Sequence, residues 1–371
     1  MRLAVLDIGS NTVNLLVADD DRGVPLPVHT WKLRTRLSER VQPDGTVGAE
    51  GRVRVVDAVC RALEEVQESG VDSLFAYATA VIRDAPNRDV VLAAVAEATG
   101  LRLGTLTGVE EAQLTFLAAR RWLGWSAGPM LLADIGGGSL ELAVGRDRLP
   151  ESALSLPLGA GRLTREFLRD GDPPSAAAVG ELRRHVRNRL RQVTAHTSWE
   201  SPRTAVAASK TFQQLARLTG AAPLRQGPFV TRRLRRRELR PWIDRLAAMP
   251  VRRRAALPGI SAHRARQILA GSIVAHQVMR ALDLDSVRIC PWGLREGILL
   301  RELESRRPVL RDAGWVRRAD QVRDPAGTGA PPSTSDSNCA HQSSSARSRN
   351  GSPPTRRVAG RGTLTWSVAD L

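Results

Sequence analysis

Two stretches of the chain carry the same pattern of apolar and polar positions. Leu3-Ala4-Val5-Leu6 runs into Asp7-Ile8-Gly9-Ser10-Asn11-Thr12 and then Val13-Asn14-Leu15-Leu16-Val17. Met130-Leu131-Leu132-Ala133 runs into Asp134-Ile135-Gly136-Gly137-Gly138-Ser139 and then Leu140-Glu141-Leu142-Ala143-Val144. Overlaid, Asp7 falls on Asp134, Gly9 on Gly136 and Thr12 on Ser139. Each copy predicts two buried strands joined by a tight turn of small residues.

Between and after these hairpins the period changes back and forth. Trp31 to Leu37 alternates as a strand. Val53, Val56, Val59, Leu63 and Val66 recur at helical spacing, and the helix ends at Gly70. Leu74 to Ala78 reads as a buried strand, Val90 to Ala98 as a helix closed by Gly100, and Leu101 to Leu103 as a short strand. Thr107-Gly108-Val109-Glu110-Glu111-Ala112 opens a further helix with two carboxylates in its first turn. In the second half, Leu163 to Leu168 and Val179 to Val193 read as helices. Thr204 to Ala208 reads as a strand turning through Ser209-Lys210-Thr211 into another helix. An arginine-rich helical stretch covers Arg232 to Arg254, then a strand at Val287 to Cys290 and a last helix at Leu294 to Glu304. The alternation predicts an α/β fold with largely buried sheets. It divides the chain into an N-terminal domain over 1–125, a C-terminal domain over 126–304 and a tail over 305–371. In the tail Pro, Ser, Gly and Arg dominate and no period survives, so disorder is expected there.

The duplicated turn is where chemistry enters. Small residues let a turn aim several backbone N–H groups at one point, and such nests hold phosphate oxygens. An Asp at the strand end repels a bare phosphate, but it suits a hard cation placed between carboxylate and phosphate. Glu141, seven residues after Asp134, returns beside it if the hairpin forms. Two ordinary hairpins would satisfy either copy alone. The matched pair, with Asp in register, favours a shared polyanion site.

Composition narrows the partners. The 371 residues are 42% hydrophobic, enough for two domains with their own cores. No apolar run reaches the ~20 residues a bilayer span requires, so no membrane role is expected. The N-terminus enters a strand at once rather than a signal peptide. Cys60, Cys290 and Cys339 have no metal-like spacing, and a reducing cytoplasm fits. The net charge of +17 comes almost wholly from arginine, since Lys32 and Lys210 are the only lysines. Such a field draws polyanions. Nucleic acid is disfavoured because only 4% of residues are aromatic and few of those sit among the basic runs. Arg183–Arg191, Arg232–Arg240 and Arg252–Arg254 read either as a path for a long polyanion or as solvated helix faces. His263 and His276 show no ligand spacing, and Trp292 reads as core.

Five pieces in order carry a family resemblance. They are Asp7 to Thr12, Ala78-Thr79-Ala80-Val81-Ile82-Arg83-Asp84-Ala85, Gly108 to Ala112, Asp134 to Glu141, and Pro291-Trp292-Gly293-Leu294-Arg295-Glu296-Gly297. Over residues 1–304 the chain resembles the exopolyphosphatase / guanosine pentaphosphate phosphohydrolase family of the actin–hexokinase–Hsp70 ATPase superfamily, in its short, two-domain form. The resemblance implies two ribonuclease-H-like domains with the active site in the cleft between them. It implies hydrolysis of a terminal phosphoanhydride, with Glu111 as the base that orients and deprotonates water. The helix dipole at Glu111 is expected to lower its pKa. Asp7, Asp134 and Glu141 would hold Mg²⁺, or Mn²⁺ in its place. Gly9, Ser10, Asn11, Gly136, Gly137, Gly138 and Ser139 would cradle phosphate, with Arg83, Lys210 and Arg264 as its cationic partners. Arg266 stands where the resembled segment has an acidic residue.

Three readings follow: an exopolyphosphatase acting on inorganic polyphosphate, a guanosine pentaphosphate 5′-phosphatase using the same site, and a non-catalytic binder of polyphosphate or guanosine tetraphosphate. A homodimer is the candidate assembly. Lacking the extra helical domain of longer relatives, the chain is expected to prefer short or intermediate polyphosphate over very long chains.

Overall fold

The computed structural model describes residues 1–194 and 202–306. The expected tail therefore lies, from residue 307 onward, outside the described residues. The first sheet comprises β1 (Arg2–Ile8), β2 (Thr12–Asp21), β3 (Val24–Arg34), β4 (Ser73–Ala78) and β5 (Gly104–Thr105), in the order β3-β2-β1-β4-β5. Its helices are α1 (Ala49–Glu68), α2 (Ala80–Arg83), α3 (Arg88–Thr99) and α4 (Gly108–Leu123). The second sheet repeats that plan. Its strands are β6 (Met130–Ile135), β7 (Leu140–Gly145), β8 (Ser152–Leu156), β9 (Thr204–Ala207), β10 (Arg233–Arg235) and β11 (Ser286–Ile289), ordered β10-β11-β9-β6-β7-β8. With it go α5 (Ala160–Phe167), α6 (Ala176–Thr194), α7 (Ser209–Leu218), α8 (Arg236–Ala247), α9 (Val251–Arg254), α10 (Ile268–Ala281) and α11 (Leu294–Ser305). In each sheet the first three strands form an antiparallel meander and the fourth adds parallel to the first. This is the expected pair of ribonuclease-H-like domains.

Each sheet is covered on both faces. Ala4, Leu6 and Ile8 of β1 meet α1 and α3 on one side, while Leu3 and Val5 meet Leu114 of α4 and Ile298, Leu299 and Leu303 of α11 on the other. In the second domain Leu131, Ala133 and Ile135 pack on the helices around α10. Met130 and Leu132 pack on Ala112, Phe116 and Ala119 of α4. Helix α4 thus touches both sheets. The expected division at 125/126 does not separate this packing, and the last helix of the expected 126–304 unit returns to the first sheet. Gly297 explains how α11 fits: a Cβ there would collide with the backbone of Leu114.

Several predicted elements change in detail. The buried stripe of α1 is Val55, Ala58, Val59, Ala62 and Val66, and Val53 is 68% exposed, because the small alanines set the close face. Strand β3 begins at Val24, and the third parallel strand lies at Gly104–Thr105 rather than Leu101–Leu103. The arginine-rich stretch is a strand and two helices, α8 and α9, with α9 starting after Pro250. Strand β8 and helix α10 are absent from the elements that spacing predicts.

Candidate active site

The two hairpin turns close by the same hydrogen bond. Gly9 N donates to Thr12 O and Gly136 N to Ser139 O, both at 2.9 Å. Those two N–H groups are therefore used within the turns. The N–H groups of Ser10, Asn11, Gly137 and Gly138 remain as the candidate phosphate donors. None of the four glycines needs a left-handed backbone. Close approach explains two of them: a Cβ on Gly137 would lie 2.6 Å from Ser10 Cβ, and one on Gly138 2.8 Å from Ala80 Cβ. The turn of the second domain thus touches the turn of the first. The carboxamide of Asn11 is also occupied, by Gln267 and Ser38. The group that Asn11 leaves for phosphate is its backbone N–H, as the turn reading expects.

A cleft of about 230 Å³ lies between the turns. Asp7, Gly9, Ser10, Asn11, Glu111, Asp134, Gly136, Gly137, Gly138, Ser139, Glu141, Lys210 and Arg264 all line it. Pairing register places Glu141 directly opposite Asp134, as expected, and Asn14 opposite Asp7. Arg83 instead lines an adjoining recess of about 340 Å³, which shares Ser139 with the cleft. Its guanidinium is held by Glu111, by Asp84 at 2.8 Å and by the Leu106 carbonyl at 3.2 Å.

The two glutamates that open α4 have separate work. Glu110 completes a capping box, accepting 2.7 and 2.8 Å bonds from Thr107 while Thr107 Oγ1 accepts from Glu110 N. Glu111, one residue on, is buried in the cleft. Burial raises its pKa well above the usual carboxylate range, helped by Glu141, Asp7 and Asp134 and opposed by Arg83. The expected lowering by the helix end is overridden.

The other carboxylates feel the same strain. Burial pushes Asp7 and Asp134 up to about 6 and Glu141 to about 8, with Asp134 adding to the effect on Glu141. Asp7 Oδ1 is buried with no hydrogen-bond partner. Among the described residues no three His, Cys, Asp or Glu side chains converge on one point. Oxygen donors spread around a cleft, one of them orphaned, fit a hard divalent ion that keeps much of its own water.

Facing these acids is a basic wall. Lys32, Lys210, Arg264 and Arg295 line the cleft. Burial lowers the pKa of Lys210, Lys32 and Arg264, and for both lysines neighbouring cations add to this. Motif spacing does not single out Lys32 or Arg295. Their signals are nonetheless in the sequence: the only two lysines in an arginine-rich chain both face this cleft, and Arg295 sits in the last family piece. Trp292, expected in the core, also lines the cleft.

Two ribonuclease-H-like domains closed on an acid-and-base-lined cleft define an enzyme of the actin-like ATPase fold. Over residues 16–306 the sequence matches the Ppx/GppA phosphatase family, and the chain belongs to it. It is 54% identical over 330 residues to an uncharacterised protein of Streptomyces coelicolor, spanning 88% of this chain and 97% of that one. It is 50% identical over 308 residues to exopolyphosphatase 1 of Mycobacterium tuberculosis, spanning 82% and 89%. The crystal structure of the Aquifex aeolicus Ppx/GppA family member matches it with a TM-score of 0.68 at 26% identity, over 82% of this chain and 97% of that one. The chain is a hydrolase of phosphoanhydride bonds.

Proposed function

We propose that the chain is an exopolyphosphatase that releases orthophosphate from the end of inorganic polyphosphate, with Glu111 as the base for the attacking water. The observation that carries this reading is the split between Glu110, consumed by the helix cap, and Glu111, buried against three further carboxylates. A base in such a place takes a proton readily, which suits one that must remove it from water near neutral pH.

Asp7, Asp134 and Glu141 are the residues that would hold Mg²⁺ or Mn²⁺, which when bound would neutralise charge on the phosphate oxygens. The chain's own groups do the rest. The N–H groups of Ser10, Asn11, Gly137 and Gly138, with Ser139, position the terminal phosphoryl group. Lys32, Lys210, Arg264 and Arg295 draw the anionic chain into place. Arg83 orients the Glu111 carboxylate and, through its ion pair, moderates the rise in its pKa. Water attacks the terminal phosphorus and the bridging P–O bond breaks. The shortened chain leaves as an anion, and the water proton passes to Glu111.

A guanosine pentaphosphate 5′-phosphatase is the second reading. It rests on Trp292, a half-buried residue of the cleft lining whose ring packs at a tilt on Trp122, 5.4 Å away, and whose remaining surface is the aromatic one a purine could meet there. Orthophosphate release from polyphosphate and from guanosine pentaphosphate, by the wild type and by Glu111→Gln, tests both. The expected result is faster turnover of polyphosphate and a 10²–10⁴-fold loss in the variant, about what removal of a general base costs. Undiminished turnover in Glu111→Gln removes Glu111 from the mechanism, and preference for the nucleotide reverses the order of the readings.

A further inference from the structure

No arginine of the runs 183–191, 232–240 and 252–254 lines the cleft, and several of them are held elsewhere. Arg183 pairs with Asp244 at 2.6 Å, Arg235 with Glu238 at 3.1 Å and Arg236 with Asp285 at 3.0 Å. Arg232 points inward and binds the carbonyls of Ala222, Pro223, Gly227 and Val230, while Arg254 binds the Leu246 carbonyl. These groups are neutralised or structural.

A different set of cations leaves the cleft along the end of β3. Register places Lys32 beside Asn14, which itself pairs with Asp7, and Arg34 beside Thr12 of the first turn. Arg36 follows, its backbone N–H bonded to Asn11 O at 3.0 Å. Alternation puts Lys32 and Arg34 on one face of the strand. From the second domain the 3₁₀ turn Ala262–Arg264 brings His263 and Arg264 to the same place. Lys32 feels Arg264, Lys210 and Arg34, and His263 feels Arg34, Arg264, Lys32 and Arg36. Lys32, Arg34, Arg36 and Arg264 make no ion pair among the described residues. Arg264 feels Asp134 in the cleft, but Lys32, Arg34 and Arg36, gathered beside it, form no ion pair with a carboxylate among the described residues.

The backbone adds an independent sign. Arg36 has φ of 52°, a left-handed conformation that costs a bulky residue energy and that glycine would adopt freely. Strain of this kind persists where the surrounding structure or a ligand makes use of it.

We propose that the surface between the end of β3 and the 262–264 turn, which meets the cleft at Lys32 and Arg264, serves as a groove that extends the substrate site. In it Lys32, Arg34, Arg36 and His263 hold the phosphate residues of a linear polyphosphate that lie behind the terminal one. The proposal rests on the polyphosphate reading of the cleft. From Lys32 to Arg36 the chain spans roughly 13 Å, so the groove takes several residues and no more. Specificity should rise from tripolyphosphate to chains long enough to fill the groove and then level off.

The test compares wild type with an Arg34→Gln/Arg36→Gly double variant on tripolyphosphate and on chains of graded length. Glycine at 36 relieves the left-handed backbone, so the variant should melt no lower than wild type. The expected result is that kcat/KM for long chains relative to tripolyphosphate falls about tenfold, mostly through KM. The salt dependence of KM on long chains should weaken as well, because fewer counterions are released. An unchanged ratio overturns the groove. So does an equal fall in Arg189→Gln, which removes a charge from the exposed face of α6. If wild type cleaves neither substrate, the function proposed above fails. Equilibrium binding of long-chain polyphosphate to wild type and double variant then judges the groove alone, and equal affinities overturn it.

Discussion

Asn11 and Gln267 face each other across the two domains and exchange two hydrogen bonds. Asn11 Nδ2 donates to Gln267 Oε1 at 3.2 Å, and Gln267 Nε2 donates to Asn11 Oδ1 at 3.1 Å. Ser38 Oγ adds a 2.8 Å bond to Asn11 Oδ1, and both amides are buried. Arg165 to the Ser38 carbonyl at 2.9 Å and Arg162 to Asp84 at 3.1 Å cross the same divide. Asn11 lies in the first phosphate turn, so this pair fixes how that turn meets the second domain.

Gln267→Ala should leave the Asn11 amide N–H groups without their partner and cost about 1–3 kcal/mol of stability. Turnover should fall about tenfold as the turns lose their mutual register, and Gln267→Glu should recover less than half of it. Thermal melting and orthophosphate release check this. Wild-type melting together with wild-type turnover in Gln267→Ala would show the amide pair to be idle.

Glu110→Ala and Glu111→Gln should divide stability from activity. The first removes the Glu110 half of the α4 capping box while Thr107 Oγ1 still caps the helix, at a cost of about 0.5–1 kcal/mol, and leaves turnover near wild type. The second removes one member of a mutually repelling buried group, so melting should hold or rise while orthophosphate release collapses. Similar losses of turnover in the two variants would refute the division of roles.

Stability of the metal-free protein should fall as pH rises. Asp7 and Asp134 titrate at about 6 and Glu141 at about 8 when folded, all above their unfolded values. The folded state therefore holds more protons over this range. Unfolding becomes easier as they are lost, by about 1.4 kcal/mol for every tenfold by which folding tightens a group's hold on its proton. The melting temperature in chelator should be highest near pH 5 and decline by several degrees by pH 8, and added Mg²⁺ should reverse the decline. Melting curves that are flat in pH, or unmoved by Mg²⁺ at pH 8, would sink the assignment of these three carboxylates.

Gly137→Ala should disturb the contact between turns, since the new methyl would stand 2.6 Å from Ser10 Cβ. Loss of stability by about 1–3 kcal/mol is expected. Ser10→Gly in the same chain should restore part of the stability but not the turnover. Melting of the single and double variants decides it, and additive losses would place the strain elsewhere.

What can be read from sequence depends on whether burial is one-sided. The hairpins, the capped start of α4 and the Gly100 stop are legible because alternation, capping and turn residues each leave a local mark. Helix α10 is not, because Ile268, Leu269, Ile273, Val274, Val278 and Met279 are all buried and no polar stripe marks its period. The cleft's acids show themselves through a duplicated motif. Lys32 escapes notice because its position depends on pairing across three strands, and the bond between the Asn11 and Gln267 side chains is hidden because they lie 256 residues apart. The raised pKa of Glu111 is equally hidden, since it comes from burial in the cleft and then from carboxylates contributed by both domains.

The return of α11 to the first sheet bears on how the chain is made. Leu3, Val5, Leu16 and Ala18 emerge from the ribosome long before Ile298, Leu299 and Leu303, which cover them. During synthesis that face has only Leu106, and Leu114 of α4, to cover it, and the N-terminal domain completes its packing only after the C-terminal one has been translated. Cutting the message short before codon 294 would therefore strip the cover from the half of the enzyme that had already been synthesised.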